Sequence, residues 1–297
     1  MRFADSDYPA LFLGANTASS EAKSAYMNLT KSTLVLLVVG AGLAAASTVT
    51  NSGRSAFAIT SALVIAGSVF LTIYLKATKP EQLWYGGRAV AESVKSMTWR
   101  YMMGAEPYFI GLSLAEADKA LISGFSSIAK ERKHLAPALG GKFFELPQIS
   151  KAMRAIRSGT LEERKSIYLS ERIKNQRKWY SQQASVNRSA ENRYFAFILV
   201  CQFCALSAAI LLVSHPDSKT KLTGLFTSLA SALIAWLQLN QHKELAQSYC
   251  VTELDLGLVQ EQAQYIQNDR DLSDFVGDAE NAISREHTLW TARRDRA

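Results

Sequence analysis

Apolar residues are gathered in four blocks along the chain, and charged residues fill the segments between them. The blocks cover residues 33–50, 56–75, 195–213 and 222–239, and none contains Asp, Glu, Lys or Arg. Each is 18 to 20 residues long, and a helix needs about 20 apolar residues to cross roughly 30 Å of hydrocarbon. The pattern therefore predicts four transmembrane helices rather than the buried helices of a soluble protein. Hydroxyl side chains dilute the fourth block most.

Short polar segments join the blocks in pairs. Residues 51–54 link the first pair, and residues 215–219 link the second. Links this short predict two antiparallel hairpins, each of which enters and leaves the membrane on the same side. Near the span ends, the side that holds both termini and the middle segment has more basic residues than the links have. An excess of Lys and Arg marks the cytoplasmic side of a membrane. We therefore expect a multi-pass protein of the inner (cytoplasmic) membrane with both termini in the cytoplasm.

The segments outside the blocks have the pattern of helices. Capping boxes, in which a Ser or Thr and a Glu three residues later bond each other's backbone N–H groups, are predicted at Ser113 and Thr160. No proline or glycine occurs from residue 160 to residue 213, so one helix is expected to run into the third span. The helix of the fourth span is expected to continue to about residue 267, interrupted only at Gly257.

These elements predict an all-α integral membrane protein with two transmembrane hairpins, four spans in total, and long cytoplasmic helices. The hairpins repeat one plan in parallel orientation. We divide the chain into a first unit over residues 1–135, a linker over 136–159 and a second unit over 160–297. Each unit carries one hairpin followed by cytoplasmic helices.

The cytoplasmic segments differ in charge, within a chain whose formal net charge is +7. Residues 76–193 contain 21 basic and 11 acidic side chains, whereas residues 241–297 contain 6 basic and 11 acidic ones. The opposite net charges of the two segments favour packing of the tail, residues 241–297, on the middle segment, residues 76–193, within or between subunits. The alternative is attraction of the basic segment to anionic lipid headgroups, and both stay open. The lipid bilayer is an expected partner, and DNA is not.

Recognisable enzyme motifs are missing from the sequence. It has no P-loop, no dinucleotide-binding glycine pattern, no H-E-x-x-H and no G-x-S-x-G. Cys201 and Cys204 form a C-x-x-C pattern, but no second Cys or His pair completes a metal site. Both lie in an apolar block, where cysteine behaves as a small hydrophobic residue. We therefore expect no enzymatic activity, no catalytic residue, no metal and no cofactor.

Small and hydroxyl side chains form stripes along the predicted spans. Such residues are the common packing surface of transmembrane helices, but they also line water-filled paths in assembled oligomers. The spans carry no charge, which argues against an ion-coupled transporter, because transporters usually bury an ionisable residue in the membrane. The pore-lining candidates, on the fourth and then the second span, are Thr223, Thr227, Ser231, Gln238, Thr60, Ser68 and Thr72.

Two stretches outside the spans resemble a known family. Residues 84–108, which begin Trp-Tyr-Gly-Gly-Arg-Ala-Val-Ala-Glu-Ser-Val-Lys, resemble the helix after the membrane hairpin in SLATT proteins, which are bacterial two-transmembrane effector domains. Residues 179–181 and 280–293 resemble a second SLATT subtype. The resemblance covers nearly the whole chain as two domains in tandem. Arg88 and Glu92 are four positions apart on one helix face, and Glu92 and Lys95 are three apart, so these side chains are expected to pair. The side chains expected to form packed cytoplasmic interfaces are Trp84, Arg88, Glu92, Lys95, Trp99, Arg100, Trp179, Glu286, His287, Trp290 and Arg293.

The resemblance implies a membrane effector of bacterial defence, or conflict, systems. Our leading hypothesis is a homo-oligomeric, pore-forming effector or ion channel that is gated by a cytoplasmic signal. The implied partners are a nucleotide second messenger, bound by basic residues of the middle segment, or a separate sensor protein. The alternative hypothesis is a non-conducting, membrane-anchored scaffold that recruits a cytoplasmic partner.

Overall fold

The computed structural model describes residues 3–50, 53–139, 145–215 and 222–294, and the regular structure within these ranges is entirely helical. This confirms the all-α prediction for the described residues. A π-helix, Tyr168–Lys174, lies between α7 and α8, and 3₁₀ turns occur at Asp5–Asp7, Lys133–Leu135 and Ala263–Tyr265. The α-helices are α1 (Ala10–Val49), α2 (Arg54–Thr78), α3 (Pro80–Met103), α4 (Leu114–Glu131), α5 (Ala136–Leu139), α6 (Lys151–Arg157), α7 (Leu161–Ile167), α8 (Asn175–Ser214), α9 (Thr223–Asn240), α10 (His242–Gln262) and α11 (Asp269–Arg294).

Three helical stretches in the described part of the chain are long and apolar enough to cross a membrane. They are Ala10–Val49, Arg54–Met103 and Leu161–Ser214, and they indicate a membrane protein. Helix α9 has 18 residues but is not one of the three, because its Thr, Ser, Gln and Asn side chains lower its mean hydropathy. A fourth span therefore stays a prediction.

The predicted helix starts at the two capping boxes are confirmed. The Ser113 backbone N–H donates to Glu116 Oε2 at 2.9 Å, and the Glu116 N–H donates to Ser113 Oγ at 3.3 Å. The corresponding distances for Thr160 and Glu163 are 2.8 and 3.3 Å. From Leu161 the chain stays helical to Ser214, as the lack of proline and glycine predicted.

The predicted interruption at Gly257 is wrong, because the break lies at Gln241 instead. Gln241 ends α9 with a left-handed backbone, φ 49°, and its N–H donates to the Leu237 carbonyl at 3.1 Å. Gly257 lies inside α10, and a Cβ atom there would lie 3.1 Å from Arg177 Nη2. The glycine therefore makes room for an arginine rather than ending a helix.

The chain divides into two compact units that combine distant segments. The core unit comprises Met1–Lys23, Glu81–Ala184 and Gln247–Ala297, and the span unit comprises Ser24–Pro80 and Ser185–Ala246. The span unit contains the four apolar blocks. The core unit contains nearly all of the charged helical segments and a single large cluster of buried apolar side chains.

Helix α3 supplies the centre of the core unit. Trp99, Tyr101 and Met102 on this helix are at most 1% exposed, so burial of their apolar surface stabilises the unit. Arg157 of α6 is also buried, and its guanidinium donates to the carbonyl oxygens of Tyr101 and Tyr108 at 2.8 Å each. A buried cation held by backbone carbonyls fixes the end of α3 and the turn that follows it.

Helices α1 and α2 of the span unit approach each other closely at a glycine. A Cβ atom on Gly40 would lie 2.7 Å from Ile65 Cγ1, which is shorter than van der Waals contact. The buried Ser61 hydroxyl donates to the Gly40 carbonyl at 2.8 Å. Small residues that let backbones approach, together with a hydroxyl that bonds across the interface, are typical of helix packing in membranes.

Candidate functional site

Helix α9 presents a face of small and polar residues at the surface of the span unit. Its exposed positions are Gly224, Thr227, Ser231, Ala235 and Gln238, which share one side of a helix because they are spaced by three or four residues. The hydroxyl of Thr227 donates to the Thr223 carbonyl at 2.9 Å. We call these five residues the α9 face.

The exposed surfaces of the other apolar helices differ from the α9 face. Large apolar side chains that are 38% to 82% exposed cover them, and no residue of α9 itself is in this set. Such surfaces suit contact with lipid chains, whereas the α9 face suits water or another protein surface. Representative members are Val35 and Val39 of α1, Leu63 and Phe70 of α2, and Phe203 and Leu211 of α8.

The predicted stripe on α2 is less uniform than that on α9. Thr60 and Thr72 are exposed, but Ser68 is 2% exposed and its hydroxyl donates to the Ile65 carbonyl at 2.7 Å. Phe70 and Ile73 are exposed on the same helix. Ser68 therefore fits helix packing better than a pore wall, and the pore-lining role of Thr60 and Thr72 stays a prediction.

Several residues predicted to form cytoplasmic interfaces make contacts within the core unit. Arg88 Nη2 lies 2.7 Å from Glu92 Oε1, so the predicted pair on α3 is formed. Trp84 is buried, and Lys23 Nζ lies 5.5 Å from the centre of its ring. Arg100 Nη2 donates to Asn281 Oδ1 of α11 at 2.9 Å.

Four further predicted interface residues lie on the last helix. Helix α11 runs through their positions, but their side chains lie outside the described residues. Their interface role stays a prediction. They are Glu286, His287, Trp290 and Arg293.

The three remaining predicted residues, Lys95, Trp99 and Trp179, line one cavity of about 490 Å³ in the core unit. This volume lies within the range of about 300–1,000 Å³ that is typical of small-molecule sites. Their sequence spacing does not indicate this meeting, because α3 and α8 lie near opposite ends of the segment Glu81–Ala184. The full lining is Phe3, Ala4, Asp5, Tyr8, Lys95, Trp99, Glu171, Arg172, Asn175, Gln176 and Trp179.

A buried ion pair forms one wall of this cavity. Arg172 of the π-helix donates from Nε and Nη2 to the two carboxylate oxygens of Glu280 at 2.8 and 2.7 Å. The Tyr168 hydroxyl donates to the same carboxylate at 3.0 Å. Burial lowers the pKa of Arg172, but the charge of Glu280 and its hydrogen bonds outweigh burial and raise it. The guanidinium is therefore charged at every physiological pH.

One atom of this arginine is left without a partner. Nη1 of Arg172 is buried and has no hydrogen-bond partner among the described residues. A buried charged N–H group without a partner is costly, and native proteins usually satisfy such groups with protein, water or a ligand.

Lys95 adds a second cation to the cavity. Its ammonium lies 6.0 Å from the centre of the Tyr8 ring. Burial, and then the charge of Arg172, lowers the pKa of Lys95 to about 8. Lys95 and Arg172 both line the cavity, and a like charge nearby disfavours the protonated form of a lysine.

Aromatic side chains hold the cavity in shape. Trp99 Nε1 donates to the Tyr8 hydroxyl at 2.9 Å, and the rings of Phe3 and Trp99 meet edge to face with centroids 5.6 Å apart. Burial raises the pKa of Tyr8 to about 12, so Tyr8 is neutral. Trp179 is 38% exposed, so one ring of the lining remains accessible to solvent.

Sequence reasoning missed Arg172, Glu280 and Tyr8 as a group. Each is more than 100 positions from the other two, and no local sequence pattern links them. In the structure Arg172 lies in a π-helix, and π-helical turns often occur at functional sites. That turn has no distinctive sequence pattern.

The described residues offer no group of three or more His, Cys, Asp or Glu side chains that could hold a metal ion. Cys201 is buried in α8, and Cys204 is partly buried. Neither the cavity nor the α9 face contains a Cys or His side chain.

Sequence comparison identifies two family domains in tandem. The profile for "SMODS and SLOG-associating 2TM effector domain 3" matches residues 9–165, and the profile for "SMODS and SLOG-associating 2TM effector domain 1" matches residues 168–290. Searches of curated proteins and of solved structures return no match.

Proposed function

This chain belongs to the SLATT family of two-transmembrane effector domains, which is associated with bacterial conflict systems, and from this membership we propose that it is a pore-forming effector. Copies of the chain assemble around an axis in the cytoplasmic membrane, and the α9 face lines the path. Opening of that path dissipates ion gradients. The chain is not an enzyme in this proposal, and both termini lie in the cytoplasm.

The α9 face is the observation that carries the proposal. A helix that contacts lipid on its exposed side is expected to carry large apolar residues there, as α2 and α8 do. The α9 face carries Gly, Thr, Ser, Ala and Gln instead. Small residues allow close approach of a second copy, and hydroxyl and amide groups support a hydrated, uncharged path.

The competing function is a non-conducting scaffold, in which the same residues only pack helices together. Ser231→Leu separates the two proposals. In a pore, the leucine narrows and dries the path, so we expect single-channel conductance in planar bilayers and toxicity in bacterial cells to fall at least about tenfold. Thr60→Leu tests the other candidate face, since Thr60 is an exposed hydroxyl residue on α2. Ser207→Leu is the matched control, since Ser207 is an exposed serine on α8, whose exposed surface is mostly large and apolar.

The variants separate the possible paths from one another and from a scaffold, and Ser207→Leu should leave conductance unchanged. Conductance that survives Ser231→Leu, in an oligomer of unchanged size, contradicts a path lined by the α9 face. Conductance that falls with Thr60→Leu and not with Ser231→Leu moves the path to α2. An oligomer that never conducts, although it assembles in the bilayer, supports the scaffold.

A further inference from the structure

We propose that a groove between α1 and α9 in the span unit binds one anionic phospholipid of the cytoplasmic leaflet. The phosphate of the lipid lies against the ammonium of Lys31, and one acyl chain lies along the apolar walls of the groove. The inference does not depend on conduction, because lipid binding is measured without a current.

The groove is an apolar recess with one polar end. Its volume is about 270 Å³, and we call it the α1–α9 groove. Its wall on α1 extends from Lys31 to Val39, which is about 12 Å along a helix. A recess of this length suits a stretch of hydrocarbon chain better than a compact ligand. The aliphatic side chains along it include Leu34, Val35 and Val38 of α1 and Leu229, Ala232 and Leu233 of α9.

Lys31, Trp236 and Tyr194 meet at the polar end of the α1–α9 groove, which all three line. The two helices run antiparallel, because a Cβ atom on Gly42 would lie 3.5 Å from Leu225 Cδ1, and Lys31 and Trp236 are each eleven positions away from that contact. Lys31 and Trp236 therefore lie at the same level. Trp236 Nε1 donates to the Tyr194 hydroxyl at 3.1 Å, which adds a ring of α8 at this level.

Lys31 gives this end of the groove a cation without a protein partner. Its ammonium makes no salt bridge and no hydrogen bond within the described part of the chain. A second recess of about 440 Å³ shares Lys31 and Val35 with the groove and is also lined by the exposed Asn28 and Ser32. None of the described residues that line the two recesses is acidic. A phosphate there meets an ammonium, an amide and a hydroxyl, which all donate hydrogen bonds, and no repelling carboxylate.

Polar contacts hold the aromatic side chains at the polar end in place. The rings of Tyr194 and His242 are stacked, with 10° between their planes and 5.8 Å between their centres. His242 Nδ1 lies 2.7 Å from Asn187 Oδ1. Together with the bond from Trp236 to Tyr194, these contacts join the end of α9 and the start of α10 to α8. A site that is ordered before the ligand arrives loses less affinity to the cost of ordering.

In the proposed topology, the polar end of the groove lies at the cytoplasmic surface of the membrane. Lys31 precedes the first apolar block, Tyr194 precedes the third, and Trp236 lies near the end of the fourth. Trp and Tyr are enriched at membrane interfaces, and the cytoplasmic leaflet carries anionic lipids that attract lysine. Lys31 is outside the basic middle segment, residues 76–193, so this site is separate from any general attraction of that segment to headgroups.

The α1–α9 groove and the α9 face use opposite sides of α9. Successive residues of a helix are about 100° apart, so Leu229, Leu233 and Trp236 are each turned away from Ser231 by roughly half a turn. The lipid therefore contacts the side of α9 that the proposed path does not use.

The test is native mass spectrometry of the purified full-length chain in detergent, titrated with phosphatidylglycerol or with phosphatidylethanolamine of the same acyl chains. Phosphatidylglycerol is anionic and phosphatidylethanolamine has no net charge, so the pair compares headgroups alone. We expect phosphatidylglycerol to saturate at one tightly bound lipid per chain. Its affinity should be about fivefold above that of phosphatidylethanolamine, which is the factor expected for one lysine near an anionic surface.

Two lysine variants assign the headgroup. Lys31→Gln should remove the preference for phosphatidylglycerol and leave the affinity for phosphatidylethanolamine unchanged. Lys76→Gln is the matched control, because Lys76 is an exposed lysine directly after the second apolar block and lines neither recess. It should keep the preference.

Two alanine variants assign the acyl chain. Ala232→Phe places a ring in the groove, so it should weaken both lipids at least about fivefold. Ala66→Phe is the matched control, because Ala66 is an exposed alanine of α2 outside the groove, and it should leave both affinities unchanged. The thermal unfolding midpoint of each variant reports whether the span unit is intact.

Three results would overturn the proposal. The first is that the native chain binds the two lipids equally tightly. The second is that Lys31→Gln keeps the preference, or that Lys76→Gln loses it as well. The third is that Ala232→Phe binds both lipids like the native chain, and if it also changes the number of subunits, a second copy of the chain occupies the groove instead. None of these results measures a current, so the pore proposal stands or falls separately.

Discussion

At the scale of single residues, the core unit contains buried arginines whose guanidinium groups are held by hydrogen bonds. Arg172 is paired with Glu280, and Arg157 is held by backbone carbonyls. Such pairs do not by themselves add much stability, because removing two charges from water is costly. They do make the fold sensitive to the loss of either partner.

Removal of one member of the Arg172–Glu280 pair gives a quantitative prediction. Glu280→Gln leaves the guanidinium charged and unneutralised in the interior, so the free energy of unfolding should fall by about 3–5 kcal/mol. Denaturant unfolding of the detergent-solubilised chain measures it. The double variant Arg172→Met/Glu280→Leu should recover most of this loss. If the losses of the two single variants add in the double variant instead, the buried ion pair is contradicted.

Replacement of Lys95 is expected to stabilise the folded chain, whereas replacement of Glu280 is expected to destabilise it. Burial, and then Arg172, lowers its pKa to about 8 in the folded chain, whereas an unfolded lysine titrates near 10.4. The folded state thus disfavours the ammonium below pH 8, and this cost disappears as the pH rises toward the unfolded value. Lys95→Met should therefore raise the thermal unfolding midpoint at pH 7 and show a smaller gain at pH 10. An equal gain at both pH values would contradict a desolvated lysine.

Little of this residue-scale chemistry is predictable from the sequence. The Arg88–Glu92 pair was predicted because the two residues are four positions apart on one helix, and the structure confirms it. The Arg172–Glu280 pair joins residues 108 positions apart, and no local pattern encodes such a meeting. Only the packed core brings these residues together.

At the scale of elements, apolar periodicity, helix capping and glycine placement predicted most of the helices. The capping boxes at Ser113 and Thr160 begin α4 and α7 as expected. The prediction of an interruption at Gly257 is wrong, because that glycine lies inside α10. The break at Gln241 follows the end of the apolar run, where the backbone itself adopts a left-handed conformation.

The contact between α1 and α2 gives the prediction at this scale. Gly40→Ala places a Cβ atom 2.7 Å from Ile65 Cγ1, so the hairpin must shift and lose about 1–3 kcal/mol of stability. Gly67→Ala is the control, because its Cβ would lie 3.7 Å from Leu36 Cδ1, which is ordinary contact. The thermal unfolding midpoints in detergent compare the two glycine variants. Adding Ile65→Ala to Gly40→Ala should raise the midpoint again, because it removes the side chain that the new Cβ atom meets. Equal midpoints for the two glycine variants would contradict close packing at Gly40.

At the scale of the whole molecule, the sequence predicted a tandem SLATT chain with apolar spans, and both family domains and three long apolar helices are found. It did not predict that segments distant along the chain combine into the core unit and the span unit. Contacts between distant helices decide that division, and periodicity along one helix carries no information about its partners. The α9 face differs from the exposed surfaces of α2 and α8, and the packing of the span unit decides which side of each helix is exposed.

The most direct measurement of the central claim is chemical block of current through a chain with one cysteine on the α9 face. Cys201, Cys204 and Cys250 are first replaced by alanine, and Ser231→Cys or, as control, Phe203→Cys is then introduced; Phe203 is 66% exposed on α8. A water-soluble, charged thiol reagent should abolish the bilayer current of the Ser231→Cys oligomer and leave that of the Phe203→Cys oligomer unchanged. A current that persists after complete labelling of Ser231→Cys would contradict a pore lined by the α9 face.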